Sequence, residues 1–126
     1  MGPHKTVVFL MEASPTAHLR FFEGLRMALG FSVSHRSVTL LLRGEGVRIL
    51  LPIAPKLLGL PPEIVEVVPL LQELGVQIVV EETELGHFFL DRPLPEFVRT
   101  ATREEVRDIL ERAELVVPFL DRSGST

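Results

Sequence analysis

The sequence predicts a three-layer α/β/α fold around a five-stranded, mainly parallel sheet. Three observations carry that reading. Short runs such as Val7-Val8-Phe9-Leu10, Val38 to Leu42 and Val76 to Val80 are almost wholly apolar, as strands covered on both faces must be. Segments with apolar residues at helical spacing lie between them. Turn formers stand at most of the joints: Ser14-Pro15, Gly44-Glu45-Gly46, Pro61-Pro62 and Gly75.

The first strand spans Lys5 to Met11. Glu12 to Thr16 then turns into a helix, with Ser14 and Thr16 as candidate N-caps; if Ser14 caps, Pro15 takes the first helical position, where a missing N–H costs nothing. That helix runs to about Leu29 with Leu19, Phe22, Leu25 and Leu29 on one face, and Gly30 is placed just past its end. Ser37 to Leu42 is the second strand. A helical segment from about Val47 follows, kinked or split by Pro52 and Pro55.

Pro61-Pro62-Glu63 opens another helix to about Leu74, with Ile64, Val67, Val68 and Leu71 inward and Pro69 disturbing its middle. Gly75 ends it, and Val76 to Val80 is the third strand. Leu85 to Pro95 reads as loop, and Glu96 to Thr100 as a short strand. Thr102-Arg103-Glu104-Glu105 is a capping box, in which Thr and Glu each satisfy an amide of the first turn. The helix it starts reaches about Arg112 with Val106, Ile109 and Leu110 inward. Glu114 to Phe119 is the last strand and Asp121 to Thr126 a frayed polar tail. The 126 residues are therefore expected to form one domain, with its core at about 5–119 and a tail at 120–126.

Composition narrows the function classes. The chain has no Cys, which excludes disulfides, thiolate catalysis and iron–sulfur ligation by its own residues. Net charge is −4, which argues against nucleic acid as the main partner, while the 11 Arg spread along the chain leave room for a local basic patch. The most apolar stretch, Val47 to Leu60, is too short for a bilayer and carries Arg48, Lys56, Pro52 and Pro55, so no membrane partner is expected and the location is read as cytoplasmic. The absence of Asn, and 11 Arg against 2 Lys, fit heat adaptation or a GC-rich genome equally.

The strongest candidate site is the acidic end of the third strand, Glu81, Glu82 and Glu84. Ligands in open α/β sheets bind at the carboxyl ends of strands. Alternation sends Glu81 and Glu82 to opposite faces, so either can contact a ligand, but they need not work as a pair; the plain alternative is a solvated strand end paired with Arg. Ser14, Thr16 and His18 sit at a helix start where free amides attract anions, although simple capping accounts for them as well. Glu45 lies in a Gly-acid-Gly turn that suits a binding loop, or any strand-to-helix turn. His4, His18, His35 and His87 lack metal-binding spacing, so no metal and no cofactor is expected. Phe88 and Phe89, adjacent in a loop, are candidates for a subunit interface or for the core.

Several of these pieces line up. Ser14-Pro15 leads into a helix carrying Glu23-Gly24. The second strand ends in Gly44-Glu45-Gly46-Val47 followed by Leu50-Leu51, the third strand ends near Glu81, and the chain closes with Ala113-Glu114-Leu115-Val116-Val117-Pro118-Phe119. Over roughly residues 5 to 119 this resembles the DsrE/DsrF-like family, above all its DsrF/TusC branch. The resemblance implies a five-stranded parallel sheet between helices (a DsrEFH-like fold) and assembly into trimers or hexamers, or pairing with a DsrE/F-like paralogue. Sulfur-relay members of the family pass a persulfide between cysteines, and their transferring Cys follows the third core strand. The equivalent place here is Glu81, with Glu82 next to it. The resemblance therefore implies a cysteine-free binding or assembly subunit rather than a catalyst, with Glu81 and the loops around Ser14 and Glu45 lining a pocket. The alternative is a small enzyme or ligand-binding protein using Glu81 or Glu82 with His18.

Overall fold

The computed structural model describes residues 6–12, 18–32, 37–50, 64–85 and 94–120. Five parallel strands, β1 (Thr6–Met11), β2 (Ser37–Leu42), β3 (Gln77–Glu81), β4 (Val98–Ala101) and β5 (Leu115–Phe119), form one sheet in the order β4-β3-β2-β1-β5. The chain steps from β1 to β4 in one direction, then crosses the sheet to add β5 beside β1. Among the described residues three α-helices cover the sheet: α1 (His18–Ser32), α2 (Ile64–Glu73) and α3 (Arg103–Arg112).

Strand alternation divides the core in two. Val7, Phe9, Met11, Leu40, Leu42, Ile78 and Val80 meet α1 and α2 through Leu25, Ala28, Val68 and Leu71. Val8, Leu10, Leu41 and Val79 point the other way and meet Val106 of α3 together with Ala101. Helices therefore lie on both faces, and the near-continuous apolar strands need both to leave water.

Several element ends differ from expectation. Gly30 does not end α1, which continues to Ser32: Phe31 packs edge-on against Phe9 with ring centroids 5.5 Å apart, and the Ser32 hydroxyl donates to the Leu29 carbonyl at 2.6 Å. The segment after β2 starts at Gly44 rather than Val47 and is a 3-10 turn through Leu50, with Val47 and Ile49 buried. Pro52, Pro55, His35 and the Pro61-Pro62 helix start fall outside the described residues, as do the Ser14-Pro15 cap, most of the 85–95 loop and the terminal tail.

Pro69 sits inside α2 without ending it, on the exposed side, while Val68 and Leu71 hold the buried face. Gly75, with φ 86°, closes α2 in a Schellman motif: the Gly75 amide donates to Gln72 and the Val76 amide to Leu71. Val76 is spent on that cap, so β3 begins at Gln77 and extends through Glu81. β4 likewise starts late, at Val98, after a turn in which the Val98 amide donates to Pro95. The capping box of α3 forms as expected, with the Thr102 amide donating to the Glu105 carboxylate at 2.9 Å and the Glu105 amide to the Thr102 hydroxyl at 3.1 Å. Pro118 is tolerated in β5 because that strand is a sheet edge.

Candidate functional site

Register decides which charged residues meet. Met11 pairs with Leu42, and Leu42 with Val80. The next residues, Glu12, Arg43 and Glu81, therefore stand side by side at the carboxyl ends of three neighbouring strands. All three continue the strand positions that face α3. The Arg43 Nε lies 3.7 Å from a Glu12 carboxylate oxygen and 3.8 Å from one of Glu81. One guanidinium thus serves two carboxylates.

Glu81 is the unusual member, only 5% exposed. A buried carboxylate keeps its charge only with a counter-charge or hydrogen-bond donors. Arg43 supplies the counter-charge, but at 3.8 Å it is too distant for a hydrogen bond. No hydrogen bond reaches the Glu81 carboxylate among the described residues. The carboxylate opens instead on a cleft of about 410 Å³, within the size range of small-molecule sites.

The far wall of that cleft is α3. Arg103, Val106, Arg107, Leu110 and Glu111 line it, and Arg43 and Glu81 complete it. Their spacing along α3 is i, i+3, i+4, i+7 and i+8, one continuous stripe. Val106 anchors the stripe in the core, and its outer members rise as two arginines and a glutamate. Chemically the cleft offers guanidinium donors on one side and a carboxylate acceptor on its floor.

The turn after β2 sets the position of Arg43. Its amide donates to the Met11 carbonyl at 3.1 Å, and its carbonyl accepts from the Gly46 amide at 3.0 Å. Gly44 takes φ 51°, and a Cβ on Gly46 would lie 2.1 Å from the Met11 carbonyl oxygen. The two glycines of the Gly-acid-Gly element thus serve a turn and a close backbone approach.

Of the residues singled out in the sequence, the described acids Glu45, Glu81 and Glu82 do not share one site. Glu81 lines the cleft. Glu82 leaves the strand at once, opening the 3-10 turn Glu82–Glu84 with its side chain exposed, so it and Glu81 are separated by the end of the strand rather than by two faces of it. Glu45 is absent from the cleft lining and pairs with Arg48 three residues on. His18 is the first residue of α1 in the described structure, and its side chain lies outside the description. Ser14, Thr16, Phe88 and Phe89 also lie outside the described residues. Among the described residues no three His, Asp or Glu side chains gather as a metal site, and no helix is long and apolar enough to cross a membrane.

Sequence reasoning missed Glu12, Arg43, Arg103, Arg107 and Glu111. A signal existed for the first two: each is the first charged residue after an apolar strand run, the same place Glu81 holds in its own strand. The α3 stripe is half visible in the sequence, where Val106 and Leu110 carry the inward spacing and Arg103, Arg107 and Glu111 stand at the same helical intervals beside them.

No family model matches the sequence, and a sequence comparison finds no match among curated proteins. Comparison of the structure with solved ones does find relatives of shape. The crystal structure of the ychN protein from E. coli matches with a TM-score of 0.76 and 21% identity, over 90% of this chain and 98% of that one. That protein has a DsrE/DsrF-like fold. The five-stranded parallel α/β architecture of this chain is that same fold.

Proposed function

We propose that this chain is a DsrE/F-like binding or assembly subunit that does not transfer sulfur itself. The observation that carries the reading is Glu81, a carboxylate 5% exposed that lines a cleft at the end of β3. By resemblance, sulfur-relay members carry their cysteine at this place. A persulfide needs a thiol sulfur to carry the second sulfur atom, and these 126 residues contain no Cys. What the chain retains there is a walled cleft with charged groups, which supports binding rather than covalent relay.

Ligand binding is tested by thermal shift with a panel of small anionic, cationic and neutral compounds. The comparison protein is Leu110→Trp, in which the larger side chain fills the cleft. At least one compound is expected to raise the melting temperature of the native protein and leave Leu110→Trp unchanged. If no compound of any charge class does so, the binding reading fails.

Assembly is read by light scattering behind size exclusion. A trimer, a hexamer or a complex with a cysteine-bearing paralogue is expected. A monomer at every concentration that captures no paralogue sinks the assembly half. The alternative of a small enzyme using Glu81 or Glu82 with His18 has less support, because Glu82 is exposed and does not line the cleft.

A further inference from the structure

We infer that the cleft beside Glu81 takes a small organic oxyanion that also bears a hydroxyl or ammonium group, with Arg103 and Arg107 holding the oxyanion and Glu81 accepting from the donor. This rests on the binding reading above and adds the ligand's chemistry.

Arg43 has Glu12 and Glu81, Arg48 has Glu45, Arg99 has Glu105, and Arg112 has Asp108. Among the described residues Arg103 and Arg107 have no ion pair and no side-chain hydrogen bond, and both line the cleft one helical turn apart. Glu111 stands a further turn along the same stripe, yet no ion pair forms between it and Arg107. Two neighbouring guanidiniums without partners make a fork-shaped donor set that suits carboxylate or phosphate oxygens.

Glu81 is more than nine-tenths buried, its carboxylate oxygens reach the same cleft, and among the described residues it accepts no hydrogen bond. Its counter-ion at 3.8 Å balances charge without filling the carboxylate's acceptor sites. A ligand O–H or N–H at that point would complete them. A purely apolar ligand would leave both ends of the cleft unsatisfied, and a bare cation would face three arginines against two glutamates. The cleft volume of about 410 Å³ suits a metabolite-sized molecule rather than a polymer.

Calorimetric titration of the full chain tests this with sn-glycerol 3-phosphate and L-malate as the two oxyanion types. Succinate serves as malate without its hydroxyl, glycerol as a neutral probe and putrescine as a cation. Glycerol 3-phosphate or malate is expected to bind, and glycerol and putrescine are not. Arg103→Gln with Arg107→Gln should weaken the bound oxyanion at least tenfold, while Arg112→Gln, outside the cleft, leaves it unchanged. Glu81→Gln should cut malate binding more than succinate binding, or, where the phosphate is the ligand, weaken glycerol 3-phosphate more than methyl phosphate.

Arg103 and Arg107 are exposed, so their variants should keep the fold, which circular dichroism verifies. Lysine at both sites is a second variant with the charge kept, expected to bind with intermediate affinity. Oxyanion binding untouched by the double Gln variant, or weakened equally by Arg112→Gln, overturns the assignment. So does binding of glycerol or putrescine alone. If the wider panel yields a neutral or cationic ligand that Leu110→Trp excludes, the ligand class is wrong and the binding reading stands. If nothing binds, both fall.

Discussion

The Arg43 guanidinium lies 3.8 Å from the Glu81 carboxylate, across the ends of two hydrogen-bonded strands. It is the cation paired with an almost fully buried acid, and it is itself about one-third exposed. Removing it leaves Glu81 charged without compensation, whereas removing the charge of Glu81 leaves Arg43 its contact with Glu12. Arg43→Ala is therefore expected to destabilise the fold by about 1–3 kcal/mol, reduced from a fully buried pair by solvent screening. Glu81→Gln should cost less. Urea unfolding of the two single variants and the double variant measures the coupling, and a coupling of zero would show that the pair is only incidental.

Gly46 controls how close the turn after β2 can come to β1. A Cβ there would meet the Met11 carbonyl oxygen at 2.1 Å, and backbone cannot rotate away as a side-chain tip can. Gly46→Ala should cost about 3 kcal/mol or more in denaturant unfolding, a large effect among single substitutions. At Gly44 the space is open and only φ 51° resists a side chain, so Gly44→Ala should cost about 1 kcal/mol. The two variants should differ clearly, and equal costs would contradict the close approach.

Helix α2 carries one residue that weakens it and one that ends it well. Pro69→Ala restores an amide donor on an exposed position of the helix and should raise stability by about 1–2 kcal/mol. Gly75→Ala forces a side chain into φ 86° and should lower it by about 1 kcal/mol. Melting temperatures that move in the same direction for both variants would refute this account of the helix.

Acid should loosen the start of α3. The Thr102 amide bonded to Glu105, followed by the Thr102 hydroxyl, holds the Glu105 carboxyl below its ordinary value of 4.5. A depressed carboxylate contributes stability that is present above its unfolded pKa and lost as pH falls through its folded one. The contribution is thus complete at neutral pH and fades below about 4.5. Glu105→Gln should be less stable than the native protein at pH 7, with the gap narrowing as the pH falls below 4.5. A gap independent of pH would mean that the carboxylate charge is not what the cap uses. Thr102→Ala, which removes the other half of the box, should cost about 1 kcal/mol at neutral pH.

Most of the fold was legible because its signals are local. β2 and the α3 capping box need no tertiary information: an apolar run and a Thr-x-x-Glu spacing suffice. Element ends were less legible. Gly30 looks like a helix stop until Phe31 is seen packing on Phe9, a partner about twenty residues away. Val76 looks like strand until its amide is taken by the α2 cap.

The site divides in the same way. The sequence by itself determined that an acidic group would end the third strand and that no thiol chemistry is open to this chain, since both follow from residue identity and local pattern. Only the tertiary structure decided that Glu81 is buried, that Glu12 and Arg43 stand beside it, and that the Arg103–Arg107 stripe faces it. Strand register and the crossing of α3 over the sheet bring together residues that are tens of positions apart. No local pattern encodes that meeting, because it depends on which strands become neighbours rather than on what any one strand contains.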